Sequence, residues 1–110
     1  MSNPIVHFDL SGPDEGALHR FYGELLGWEV DAKGPGYALV RTPEGGPDGA
    51  IVESEGPSLA LGVAVDDLDA AVAEALRLGG ELLSGPVDNG WVKKALLRDP
   101  AGNKVSLIEK

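Results

Sequence analysis

The chain has 110 residues, 43% of them hydrophobic, and sets 18 Asp and Glu against 9 Lys and Arg for a formal net charge of −9. A chain of this size makes one ordinary globular domain, or two very small halves sharing a core, and buries about two-thirds of its unfolded surface, so it needs no metal or disulfide merely to fold. Acidity without a basic run excludes a phosphate-tracking surface and a nucleic-acid partner, and the lack of Cys excludes thiol nucleophiles, thiolate metal sites and disulfides.

Pro4 to Leu10 alternates in residue type and predicts a strand with Val6, Phe8 and Leu10 on one face and His7 and Asp9 on the other. Leu18, Phe21, Tyr22, Leu25 and Leu26 then follow the spacing of an amphipathic helix, with Ser11 or Asp14 as N-cap and Gly27 as stop. Short strands are expected at Trp28 to Asp31, Tyr37 to Thr42 and Ala50 to Ser54, separated by Gly- and Pro-rich turns. After the polar stretch Ser54 to Pro57 the order repeats. Leu59 to Val65 predicts a strand with Ala60, Gly62 and Ala64 on a bare face, and Asp66-Asp67 caps a helix bearing Leu68, Ala71, Val72, Ala75 and Leu78 that stops at Gly79-Gly80. Strands are expected at Glu81 to Leu83, Trp91 to Arg98 and Lys104 to Glu109, the last two joined by the turn Asp99 to Asn103. No apolar run approaches the roughly 20 residues that cross a bilayer, and nothing near Met1 reads as a signal peptide, so no membrane partner and a cytoplasmic location are expected.

Position differences test for a repeat. Asp14 and Asp67, Gly27 and Gly80, Pro47 and Pro100, and Gly49 and Gly102 all stand 53 apart. The offset predicts an α+β fold of two tandem β-α-β-β-β modules within one domain spanning 1–110, module one at 4–54 and module two at 57–110.

Val6-His7-Phe8-Asp9-Leu10 with Phe21-Tyr22-Gly23-Glu24-Leu25-Leu26-Gly27-Trp28, Val63 to Ala71 running to Leu78-Gly79-Gly80, and Asp99-Pro100-Ala101-Gly102-Asn103 together resemble the vicinal oxygen chelate superfamily of glyoxalase I, extradiol dioxygenases and bleomycin resistance proteins. The resemblance implies that each module contributes a four-stranded sheet to a cupped, half-open barrel around a cavity, in which the family's enzymes hold a divalent metal. It also implies ligand positions on the first and last strands: His7 and Ala60, seven residues before the capping Asp, and Ser106, seven after Asp99. Subtracting 53 from Ser106 gives Glu53. His7 and Glu53 are thus the candidate metal ligands, while Ala60 and Ser106 cannot serve. Glu109, three residues beyond Ser106, falls on the opposite strand face at the exposed chain end.

Two ligands make a poor metal site, since stable sites draw on three or more. His7, Asp9 and Glu53 are therefore expected as a hydrogen-bonded polar cluster on a cavity wall. Hairpin parity sets Ser106 opposite Leu96 and Ile108 opposite Lys94, so the expected ligand pocket comprises His7, Asp9, Glu53, Ala60, Gly62, Lys94, Leu96, Ser106 and Ile108. Small residues leave volume there, Leu96 and Ile108 supply apolar surface, and the polar groups orient a small organic ligand. Trp28, Tyr37 and Trp91 are each either a core filler or a lid over the pocket, with core filling the working expectation. His19 lies off the helix stripe and is expected in solvent. No Gly-x-Ser-x-Gly or phosphate loop occurs.

The expected function is small-molecule binding of the glyoxalase/bleomycin-resistance type, with no cofactor and in a homodimer. Two alternatives stay open: a divalent-metal lyase or dioxygenase resembling glyoxalase I, with His7 and Glu53 as an incomplete ligand set, and an accessory module acting through protein contacts.

Overall fold

The computed structural model describes residues 3–90 and 92–109. The fold comprises two compact units, the first of residues 7–59 and the second of the remainder. Their element sequence is β1 (Ile5–Gly12), α1 (Glu15–Leu26), β2 (Glu29–Gly34), β3 (Tyr37–Arg41), β4 (Asp48–Glu53), then β5 (Ser58–Val65), α2 (Leu68–Arg77), β6 (Glu81–Asp88), β7 (Lys93–Arg98) and β8 (Lys104–Glu109). This is the expected α+β class, with β-α-β-β-β occurring twice. In the first unit the strands lie in the order β2-β3-β4-β1, antiparallel except for the parallel pair β4 and β1. In the second the order is β6-β7-β8-β5, with β8 and β5 the parallel pair. No helix of the described residues is long and apolar enough to cross a membrane.

Local chemistry explains both helices. Asp14 has extended backbone and its carboxylate accepts the Ala17 N–H at 3.1 Å, while Ser11 lies within β1, so Asp14 alone is the cap. Gly27, at φ 70°, closes α1 in the left-handed conformation that glycine takes without strain. Asp67 caps α2 in the same way through the Ala70 N–H. In α2 the left-handed residue is Gly79, and Gly80 N–H donates to Ala75 O at 2.8 Å.

In the second unit Leu68 and Val72 of α2 pack on Ala95 and Leu97 of β7, flanked by Leu82, Val105 and Leu107. In the first, Ala38 and Val40 of β3 and Ala50 and Ile51 of β4 are buried. Trp28 is half-buried, stacked on Tyr22 with centroids 5.3 Å apart and tilted against Phe8 at 5.6 Å. Tyr37, expected as a filler, is exposed instead, and Trp91 lies outside the described residues. The α1 stripe is also less buried than its periodicity predicts: Phe21, Leu25 and Leu26 remain exposed. Strand β6 runs five residues beyond its expected end. Gly85 and Pro86 sit where its register with β7 shifts and mark an irregularity within the strand.

Candidate functional site

In each unit the strands turn one face toward the helix and the other, the open face in the sense that no helix of that unit lies on it, away from it. In the first unit Phe8 and Leu10 face the α1 side, and strand alternation turns His7, Asp9 and Ser11 to the other. Register carries that open face across the sheet, His7 beside Asp48, Asp9 beside Ala50, Ala50 beside Leu39 and Leu39 beside Asp31. His7 Nε2 lies 3.1 Å from Asp9 Oδ1, with both side chains 31% exposed. A cavity of about 220 Å³ opens next to them, lined by His7, Glu29, Asp31, Lys33, Arg41 and Asp48 among others. Lys33 pairs with Asp31 at 2.8 Å, Arg41 approaches Glu29 at 3.8 Å, and Asp48 accepts the Thr42 N–H. The result is a polar basin carrying both signs of charge, suited to a polar or zwitterionic group.

Glu53 does not join this basin. It pairs with Gly12, the parity of Phe8 and Leu10, and therefore belongs to the α1 face of the sheet. Its N–H donates to Gly36 O at 2.8 Å, and Gly36 N–H in turn donates to Glu15 of α1 at 2.7 Å. The expected cluster of three reduces to the pair His7 and Asp9. The cause lies in the offset of 53, which holds at the helix caps and fails before β4. Pro100 to Gly102 form a turn between β7 and β8, whereas Asp48 and Gly49 are already paired with β1. Ser106 stands beside Gly62, and Gly62 corresponds to Asp9, whose neighbour is Ala50. The counterpart of Ser106 is thus Ala50.

In the second unit the open face has two central rows. Leu96 is paired with Ser106 and Ser106 with Gly62; Lys94 is paired with Ile108 and Ile108 with Ala64. Both hairpin pairings match the parity argument. Lys104 lies between Arg98 and Ala60 at the end of the same face. Ser106 is 9% exposed, the one buried polar residue among the described residues.

The metal implied by the resemblance can be tested on the donor set. At the positions it indicates, register leaves His7, Ala50, Ala60 and Ser106: one imidazole, two methyl groups and a neutral hydroxyl. Asp9 already holds the His7 Nε2, and no group of three His, Asp or Glu spaced for a metal occurs among the described residues. These residues do not fit a divalent cation, which needs three or more such donors converging.

Several site groups escaped the sequence reading. Glu29, Asp31, Lys33, Arg41 and Asp48 were recoverable from alternation along β2, β3 and β4, had their turns been placed correctly. His19 is part-buried rather than in solvent, with Nε2 3.5 Å from Glu15 Oε2 one helical turn away. Glu109 is half-buried too; its carboxylate accepts the Leu68 N–H at 2.7 Å and satisfies the first turn of α2.

Residues 5–108 match a family described as a glyoxalase-like domain. The putative glyoxylase CFP32 of Mycobacterium bovis is 31% identical over 90% of this chain, which spans only 42% of that relative's length. Among solved structures, a glyoxalase/bleomycin resistance protein/dioxygenase superfamily member from Vibrio splendidus 12B01 superposes with TM-score 0.74 at 16% identity, covering 99% of this chain and 100% of that one. Methylmalonyl-CoA epimerase from Mycobacterium tuberculosis gives 0.70 at 19% identity, covering 96% of this chain and 86% of that one. At such identities the structures speak to fold alone, whereas the family match extends over nearly every residue. The chain belongs to the glyoxalase-like domain family.

Proposed function

We propose that this chain is a small-molecule binding protein that holds an organic ligand against the open sheet faces without a catalytic metal. The observation that carries this reading is the donor set His7, Ala50, Ala60 and Ser106, in which small or neutral residues occupy positions where metal-dependent relatives need ligands. The basin beside His7 and Asp9 supports it with polar groups able to orient a ligand. The working form is a homodimer, a reading supported by the apolar side chains of Phe21, Leu25 and Leu26 left in solvent on α1. Light scattering at micromolar concentration should give twice the chain mass; the monomer mass would refute the dimer.

Thermal shift against a library of small organic anions and zwitterions, run with excess chelator, tests the binding reading. A compound at one hundred times its dissociation constant adds about 2.7 kcal/mol and raises the midpoint by several degrees. Shifts that persist in chelator support a metal-free binder. Shifts that appear only with an added divalent cation would favour the metal-dependent lyase or dioxygenase.

A further inference from the structure

We infer that the open face of the second unit holds the anionic head group of an organic ligand at Lys104, with its apolar body lying over Leu96 and Ile108. This rests on the small-molecule reading above and names the chemical class.

The first ground is charge pairing. Arg20, Lys33, Arg41, Arg77, Lys93 and Arg98 each have an acid within ion-pair distance. Lys94 and Lys104 are the two cations among the described residues with none, in a chain where acids outnumber bases two to one. Both stand on one face of one sheet. Lys93, next along β7, turns to the helix side and bonds Asp69 at 3.0 Å.

The second ground is register. Lys104 is directly opposite Arg98, and like charges so placed on one face destabilise the pair unless something neutralises them. Arg98 is held by Glu81 at 3.8 Å and by the Gly102 carbonyl at 3.3 Å, which leaves Lys104 uncompensated. An anion beside Lys104 supplies the missing charge.

The third ground is Ser106, two residues from Lys104 on the same face. It is 9% exposed, and its hydroxyl has no hydrogen-bond partner among the described residues but is not one of their sealed, unpartnered polar atoms, so its oxygen stays accessible. An accessible, unpartnered hydroxyl can donate to a ligand anion. Ala60 and Gly62, its neighbours on β5, put no more than a methyl group on this face, and Leu96 and Ile108 are half-buried apolar residues beside it. A cation, a donor hydroxyl and apolar surface in sequence fit a carboxylate or phosphate carried on a short hydrocarbon.

Amide-resolved NMR titration of the full chain with hexanoate, hexyl phosphate and hexanol tests this and separates the two head groups. The expected result is perturbation centred on residues 62, 96, 104 and 106 by one or both anions, much weaker binding of hexanol, and about tenfold loss of anion affinity in Lys94→Gln/Lys104→Gln, the scale of one charge-assisted contact. Ser106→Ala should weaken the anion but leave hexanol unchanged. Hexanol binding as tightly as hexanoate at these amides would overturn the anion inference while leaving the binding reading intact. Anion binding that maps elsewhere, or is unchanged in the double variant, would overturn it as well.

Discussion

Gly49 shows how one residue can decide a strand. A Cβ there would stand 2.5 Å from the Phe8 ring, itself lodged against Trp28, so the ring could not yield without disturbing the stacked aromatics. Gly49→Ala should therefore destabilise the chain by about 1–3 kcal/mol, the usual cost of overpacking, read as a lowered urea midpoint at unchanged slope. Asp99 carries a pH signature of its own. The Asn103 side chain, then its backbone N–H, with further backbone donors, hold the Asp99 carboxyl below its ordinary range. A depressed folded value means that this stabilisation is fully present above the unfolded pKa and is lost as pH falls through the folded one. Thermal midpoints of the native chain and Asp99→Asn should differ at neutral pH and converge in acid below the normal Asp range. A constant difference down to the lowest pH would contradict this.

At the scale of elements, the first turn of each helix is tied to a distant strand or turn by a carboxylate other than the cap. Glu109 crosses from β8 to accept the N–H of Leu68, a fully buried residue. Glu109→Ala should cost about 1–3 kcal/mol by stranding that donor. In the first unit Glu15 reaches from α1 to the Gly36 N–H in the β2–β3 turn, with His19 alongside. Glu15→Ala should raise hydrogen exchange in that turn selectively, whereas uniform protection loss would argue against the local pin. Neither contact was legible in the sequence, because each joins residues that are distant along the chain, and strand parity gives a face without saying what meets it. The caps at Asp14 and Asp67 were legible, being local backbone chemistry repeated at one spacing. The β2–β3–β4 region was read less well. There Pro47 and Gly49 imitate the spacing of Pro100 and Gly102 while serving in a different place, and this is what carried Glu53 into a site it does not face.

For the whole molecule, the twice-occurring β-α-β-β-β order and the family were readable because turns, caps and apolar periodicity are written in short stretches. The chemistry of the open faces was readable only in part. His7 with Asp9, and Lys94, Leu96, Ser106 and Ile108 in their rows, followed from alternation, whereas the basin of Glu29, Arg41 and Asp48 required the true strand register. The register also removes Glu53 from the side of His7, which makes a metal-dependent reaction a poorer account of this donor set than ligand binding. Calorimetric titration of the purified, chelator-treated chain with Zn²⁺, Ni²⁺ and Mn²⁺ measures that directly. A single imidazole bonded to Asp9 should bind these ions no more tightly than about millimolar, and His7→Ala should leave the weak isotherm nearly unchanged. Micromolar or tighter binding at one ion per chain, abolished by His7→Ala, would contradict the account and restore the metal enzyme.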